Sequence, residues 1–274
     1  MKRFWLISIL FLTIILLGAF FLVINPRFSS NSSDIKIAAT IFPLYDIAKN
    51  IAGEKINITL LCPANQLPQT YEAEEQTEKF RLIIKAGLID DWGDKLGGTY
   101  QPNRNIILKR NIKPYNPYYW LKPENGIFIA QNITDKLSEL DPTNADYYQT
   151  NLENYMIKLA QLDKSARQHL KSEKPLNIIG RNSWRYFLDN YQLITNNEID
   201  KPITNNYKLA NEIINQEIKT IYIDRNLVNE ELALTLKDID VRLFILDPFG
   251  GTSRNNNSYL KILKNSAEQI NSSL

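Results

Sequence analysis

The sequence predicts two α/β lobes, each a parallel sheet flanked by helices, joined by one long backbone helix and preceded by an N-terminal transmembrane helix. Three observations carry this expectation. Strand-like apolar runs alternate with helical segments, a long amphipathic stretch separates two sets of such runs, and an uncharged apolar run opens the chain.

The opening run, "FWLISILFLTIILLGAFFLVI" at residues 4–24, follows Lys2 and Arg3. About 20 apolar residues suffice to cross the hydrocarbon core, whereas a signal-peptide core is typically about 7–15. The basic pair places the N-terminus in the cytoplasm and exports the remainder. Small residues at 29–33 permit cleavage, but the length of the run favours an uncleaved anchor over a removed signal. No cysteine follows "LLGA" at 16–19, so the expectation is a helix-anchored protein on the extracytoplasmic (periplasmic) side of a bacterial cytoplasmic membrane, not a lipoprotein. Residues 1–28 are therefore read as the signal anchor or signal peptide, and residues 29–34 as a polar spacer.

The first lobe, residues 35–140, holds the runs "IKIAAT" (35–40), "INITLL" (56–61), "RLIIKAG" (81–87) and "NIILK" (105–109), with a helix at 44–52. The second, residues 172–274, holds "LNIIG" (176–180), "TIYID" (220–224) and "RLFIL" (242–246), with a helix at 206–216. Strands alternating with helices argue for parallel sheets with crossover helices. Between the lobes, Asp141 is placed as an N-cap with Pro142 at the first helical position. Tyr148, Leu152, Tyr155, Leu159, Leu162, Ala166 and Leu170 then recur at steps of three and four. Residues 141–171 thus form the linking helix, about 30 residues and roughly 45 Å long.

Composition removes several function classes. Of 32 basic and 30 acidic residues, discounting Lys2 and Arg3 leaves 30 of each, so nucleic acid is not an expected partner. A single cysteine, Cys62, excludes an internal disulfide and a cysteine-built zinc site. A single histidine, His169, excludes a triad plus metal cluster, and it is read as a surface side chain of the long helix. With no nucleophile motif and no glycine-rich phosphate loop, the chain is not expected to be an enzyme. Asp90 and Asp91, beside Trp92 and Gly93, read as a turn or helix start, and Cys62 as a small buried apolar side chain.

Open α/β sheets bind ligands beyond the carboxyl ends of their strands. That rule selects "CPANQLPQTYEAE" (62–74), "NPYYWLKPEN" (116–125), "RNSW" (181–184) and "DPFGG" (247–251). With "AATIFPLYDIAKNIAGEKINITLL", "LSELDPTNADYY" and "YFLDNYQL", these stretches resemble, from residue 35 to 274, the solute-binding proteins that deliver zinc or manganese to ABC transporters. That family includes streptococcal-type adhesins. The resemblance implies two α/β lobes bridged by one helix, a permease partner in the cytoplasmic membrane, a monomer, and a zinc or manganese cargo held by three histidines and a carboxylate.

Carried over by position, the first ligand falls on Gln69, where Pro-His-Thr-Tyr-Glu reads "PQTYE". The second falls on Tyr118, where Asp-Pro-His-x-Trp-Leu-x-Pro reads "NPYYWLKP". The third falls on Arg181, where Ser-His-Asp-Ala-Phe reads "GRNSW", and the fourth is Asp247, the one retained ligand type. Glutamine and neutral tyrosine are poor zinc or manganese ligands, and arginine stays protonated and offers donors only. The expectation is a metal site lost or altered, with Arg181 taking the metal's place opposite Asp247 and no confident cofactor. Two alternatives stand beside it. One is a genuine divalent-metal receptor using Asp247 with Glu72, Asn182 or a tyrosinate, and the other a membrane-tethered interaction protein that keeps only the fold. Bland roles also stand: Asp247 as a turn residue, Arg181 in solvent, Tyr118 packed on Tyr119 and Trp120, and Gln69 as a polar loop side chain.

Overall fold

A computed structural model describes residues 35–73, 80–96, 105–107, 116–196, 203, 205–253 and 257–272. The apolar run at 4–24 and the spacer lie outside the described residues. Strand β1 (Lys36–Ala39) pairs in parallel with β2 (Asn57–Leu60) and β3 (Leu82–Lys85), and β3 with β4 (Asn105–Ile107), giving the order β2-β1-β3-β4. Helix α1 (Phe42–Ala52) makes the first crossover. A second parallel sheet has the order β5-β6-β7, from Ile178–Ile179, Thr220–Asp224 and Arg242–Leu246. The fold is thus α/β with parallel sheets flanked by helices.

Strand interiors such as "IAA" and "LII" are apolar without alternation because helices cover both faces of a parallel sheet. Lys85, at the end of β3, is buried and forms an ion pair with Asp94. The apolar run at 176–180 yields only two residues of strand. Leu176 instead bridges to Thr195, so its partner is the segment following α4 (Arg181–Asn190) rather than β6.

Helix α2 (Pro123–Leu140) packs along α3 (Ala145–His169), the long helix. Its 25 residues make it about 37 Å long at 1.5 Å per residue. Asp141 does not cap it as expected: a 3-10 turn, Pro142–Asn144, intervenes, and Asn144 occupies the N-cap position. The Asp141 carboxylate is taken instead by the Asn144 amide and the Tyr148 hydroxyl, both at 2.7 Å. Buried beside α3, it gains more from a tyrosine hydroxyl than from an exposed helix end.

Two further helices, α5 (Asn206–Asn215) and α6 (Glu230–Asp238), cover the second sheet around a small core of Ile213, Ile221, Ile223 and Leu232. The C-terminal helix α7 (Tyr259–Asn271) packs on α1 and α3. The main core is consequently continuous, running from Ile37 and Ile84 through Trp120, Tyr155 and Tyr259 to Tyr222 and Leu246. Asp46 of α1 accepts the Tyr259 amide at 2.8 Å, putting a carboxylate at the positive end of α7. Burial nonetheless raises the Asp46 pKa to about 6.

Trp120 joins these parts. Its indole donates to the Pro248 carbonyl at 2.8 Å, while its own carbonyl accepts the Tyr259 hydroxyl. Replacing Trp120 with Phe keeps an aromatic ring but leaves the buried Pro248 carbonyl without its donor. We expect a loss of about 1–3 kcal/mol in urea unfolding, whereas Trp120→Ala should cost about 3–5 kcal/mol.

Candidate functional site

The loop at 116–122 is fixed at both ends. Asn116 accepts the Tyr118 amide at 2.9 Å through Oδ1 and donates to the Asn182 carbonyl at 2.6 Å through Nδ2. Tyr119–Leu121 form a buried 3-10 turn, and Pro123 then starts α2. Tyr118 is left with its ring 5.5 Å from Trp120 and 5.7 Å from Phe249. Its hydroxyl accepts the Gln69 amide at 2.7 Å. Burial pushes the Tyr118 pKa up, partly offset by the Ser183 hydroxyl, and the nearby Asp224 charge adds to the rise. The side chain therefore stays a neutral phenol.

Gln69 lies exposed in a 3-10 turn, Pro68–Thr70, tethered where Trp92 Nε1 donates to the Pro68 carbonyl at 2.8 Å. Asp247, at the end of β7, is buried and fully engaged. Its Oδ1 accepts the Phe249 and Gly250 amides at 3.1 and 2.9 Å, and its Oδ2 accepts Arg225 Nη1 at 2.7 Å. Arg225 also bonds the Thr252 hydroxyl. The cation on Asp247 is thus Arg225. Arg181 opens α4, and its side chain lies outside the described residues.

Gly180 sets the start of α4. It has φ 81°, and a Cβ there would meet the Asp224 Cβ at 2.6 Å, so a side chain is excluded by both conformation and space. This close approach brings Ser183 beside Tyr118 and Asp224, whose ionisation it influences. Asp224, the last residue of β6, is 1% exposed; its Oδ1 accepts the Asn226 amide at 2.8 Å, and its Oδ2 has no hydrogen-bond partner. Burial raises its pKa to about 6, and the neighbouring Asp247 charge acts in the same direction.

Gln69 thus bonds Tyr118; Ser183 and Asp224 lie close enough to influence the Tyr118 ionisation, and Asp247, paired with Arg225, influences that of Asp224. Asn116, Ser183, Asp224, Arg225 and Thr252 were not singled out from the sequence. The rule that ligands sit beyond the carboxyl ends of strands would have found Asp224 and Arg225, since "TIYID" ends on the first and the second follows it. Other candidates lie elsewhere or are spoken for. His169 is exposed, with Nδ1 2.7 Å from the Ser165 carbonyl. Cys62 is buried, which lifts its thiol to about 11. Asp90 is a turn residue and also fully buried, accepting the Ala86 and Gly87 amides and the Thr40 hydroxyl. Among the described residues, no three His, Cys, Asp or Glu side chains cluster so as to hold a metal.

Residues 37–273 match the family model described as zinc-uptake complex component A, periplasmic. The chain belongs to this family. Its curated relatives include the manganese ABC transporter substrate-binding lipoprotein scaA of Streptococcus gordonii, 27% identical over 89% of this chain and 90% of that one. Another is the metal ABC transporter substrate-binding lipoprotein ScbA of Streptococcus cristatus, 26% identical over 88% and 89%. The crystal structure of ZnuA superposes with a TM-score of 0.71 at 22% identity, covering 87% of this chain and 98% of that chain. The Zn(II)-bound ZnuA-like domain of Streptococcus pneumoniae AdcA gives 0.71 at 20% identity, covering 87% and 98%. These structures share the fold.

The zinc-uptake family comprises substrate-binding components of metal ABC transporters, which implies a permease partner; the relatives are transport proteins, not enzymes. One expectation is overturned. Relatives over nearly the whole chain are lipoproteins, and among the described residues no helix is long and apolar enough to cross a membrane. The reading of a helix-anchored protein that is not a lipoprotein does not stand. Spanning helices and export leaders share an apolar run behind basic residues, and run length was too thin a criterion to separate them.

The buried carboxylates give a pH prediction. Asp46 and Asp224 have folded pKa values near 6 against an ordinary 3.8, so the folded state binds more protons between those values. Their stabilising contribution is complete below about pH 4 and is lost as pH rises through 6, by roughly 2–3 kcal/mol per group. Asp224→Asn should therefore unfold at higher urea than the parent at pH 7, and the difference should shrink towards pH 5.

Proposed function

We propose that this chain is a solute-binding protein of the zinc-uptake family whose cleft has lost its divalent-cation site. A guanidinium of the chain itself occupies the charge position opposite Asp247. The observation that carries this reading is the 2.7 Å contact between Arg225 and Asp247, the one acidic residue among the four family ligand positions. A metal ion would have to displace a fixed cation that also bonds Thr252. It would then meet Gln69 as an amide already donating to Tyr118 and Tyr118 as a phenol that burial keeps protonated. Neither is an imidazole or an oxygen anion, the donors that zinc and manganese sites use.

The partner follows from the family: a permease that receives whatever the cleft holds. The alternatives are a divalent-metal receptor with unusual oxygen ligands and an interaction protein that keeps only the fold. The raised Tyr118 pKa speaks against the form of the first that uses a tyrosinate rather than Glu72 or Asn182.

Thermal unfolding with zinc, manganese and iron tests the proposal. Saturation at 100 times the dissociation constant adds about 2.7 kcal/mol to a folded-state binder. We expect no stabilisation by any of the three, and a saturable response to one would overturn the proposal.

Two substitutions refine it. Arg225→Ala strips Asp247 of its cation but not of its two amide donors, and Arg225 is partly solvent-exposed. The expected cost in urea unfolding is about 1–2 kcal/mol. Adding Gln69→His, Tyr118→His and Arg181→His to Arg225→Ala should create zinc-dependent stabilisation, read by the same unfolding assay.

A further inference from the structure

We propose that the groove between α2 and the C-terminal half of α3 is a second ligand site, outside the cleft, for a small organic anion with an apolar body. The inference is independent of the reading of the cleft. The groove holds about 390 Å³, within the roughly 300–1,000 Å³ typical of small-molecule sites. Pro123 and Ile127 of α2 and Leu159 and Ala160 of α3 give it an apolar wall. Leu159 is fully buried and Ile127 packs on the main core, so that wall belongs to the framework of the fold. Pro123 also closes the stretch that positions Tyr118 and Trp120, so an occupant touches the frame of the cleft and not its side chains.

The charges around the groove decide what it accepts. Asp163 is taken: its Oδ2 accepts Arg167 Nε at 2.9 Å, and its Oδ1 accepts the Asn190 amide at 3.0 Å. Arg167 is taken as well. Its Nη1 and Nη2 donate to the Asn190 carbonyl and Oδ1, both at 2.8 Å, and its guanidinium lies 5.5 Å from the centre of the Tyr191 ring. Glu124 pairs with Lys122 at 2.5 Å. Lys164 and Lys171 remain. Both line the groove and are exposed, and among the described residues neither ammonium group has a hydrogen-bond or ion-pair partner. The acidic groups are thus compensated within the chain, and two cations are not. A carboxylate supplies the acceptor they lack, whereas an amine would meet like charge. An inorganic anion gains nothing from Pro123, Ile127 and Leu159. An alkyl or aryl carboxylate lays its hydrocarbon on them and removes that surface from water.

Isothermal titration of the full chain with hexanoate and benzoate tests the inference. Hexylamine and inorganic phosphate serve as probes that lack the negative charge or the apolar body. At least one carboxylate should bind saturably at one site per chain, and hexylamine and phosphate should not bind. Changing Lys164→Gln and Lys171→Gln together should weaken binding about two- to thirty-fold, the range for two exposed ionic contacts. Ala160→Trp puts an indole into the groove from an exposed position. It should abolish binding while leaving urea unfolding unchanged, and it keeps the test decisive if the lysine pair disturbs folding. If neither carboxylate binds, if hexylamine or phosphate binds as tightly, or if either variant binds the carboxylates as the parent does, the inference is wrong.

Discussion

The position of Trp120 is the constraint on which the rest of the molecule depends. Its ring is wholly buried, yet its two polar groups reach opposite parts of the chain: the indole to Pro248 in the loop after β7, the carbonyl to Tyr259 at the start of α7. The loop carrying Tyr118 and the loop carrying Asp247 are therefore held in a fixed relation by a buried side chain and its hydrogen bonds, not by a ligand. Tyr259 extends the same linkage to Asp46 on α1. A buried hydrogen-bonded network of this kind tolerates little displacement, because moving one element strands donors or acceptors in an apolar interior. The cleft side chains inherit that rigidity.

Four of the buried carboxylates show how differently one charge type can be accommodated. Asp90 sits under two amides and a hydroxyl, Asp46 faces a helix start, and Asp247 has two amides and a guanidinium. Asp224 has one amide, with the Ser183 hydroxyl beside it. Burial drives the pKa of Asp46, Asp90 and Asp224 upward. Two of the four, Asp224 and Asp247, stand where strands of one sheet end side by side, Asp224 opposite Leu246 in register. Neutralising one and leaving the other is a distribution of charge that the chain's own residues impose.

Much of the fold was legible because its signals are local. Runs such as "TIYID" and "RLFIL" are apolar over their whole length, and the structure has strands at those residues. Ends were less legible, because they are settled by tertiary partners. Asp141 has the sequence of a cap, but Tyr148 claims its carboxylate, and Leu176 pairs outside the strand that its apolar run suggests. At the site, the loops could be named from the strand ends and the resemblance, yet the partner of Asp247 could not. Arg181 and Arg225 are 44 positions apart, and only the turn after β6 places the second beside β7. Asp224 was passed over since nothing in "YID" distinguishes a strand-ending aspartate that is half-satisfied from one that merely turns the chain.

Retention of "NPYYWLKP" with tyrosine at its ligand position has a physical explanation that does not require retained metal chemistry. Trp120 and Leu121 are fully buried, Tyr119 nearly so, and Asn116 ties the loop to α4 through the Asn182 carbonyl. Losing that stretch would open the core, so it persists for packing whatever residue 118 does. The first ligand position is under a different constraint: Gln69 is exposed, and a change there leaves the core intact. The motif in this stretch reports the scaffold.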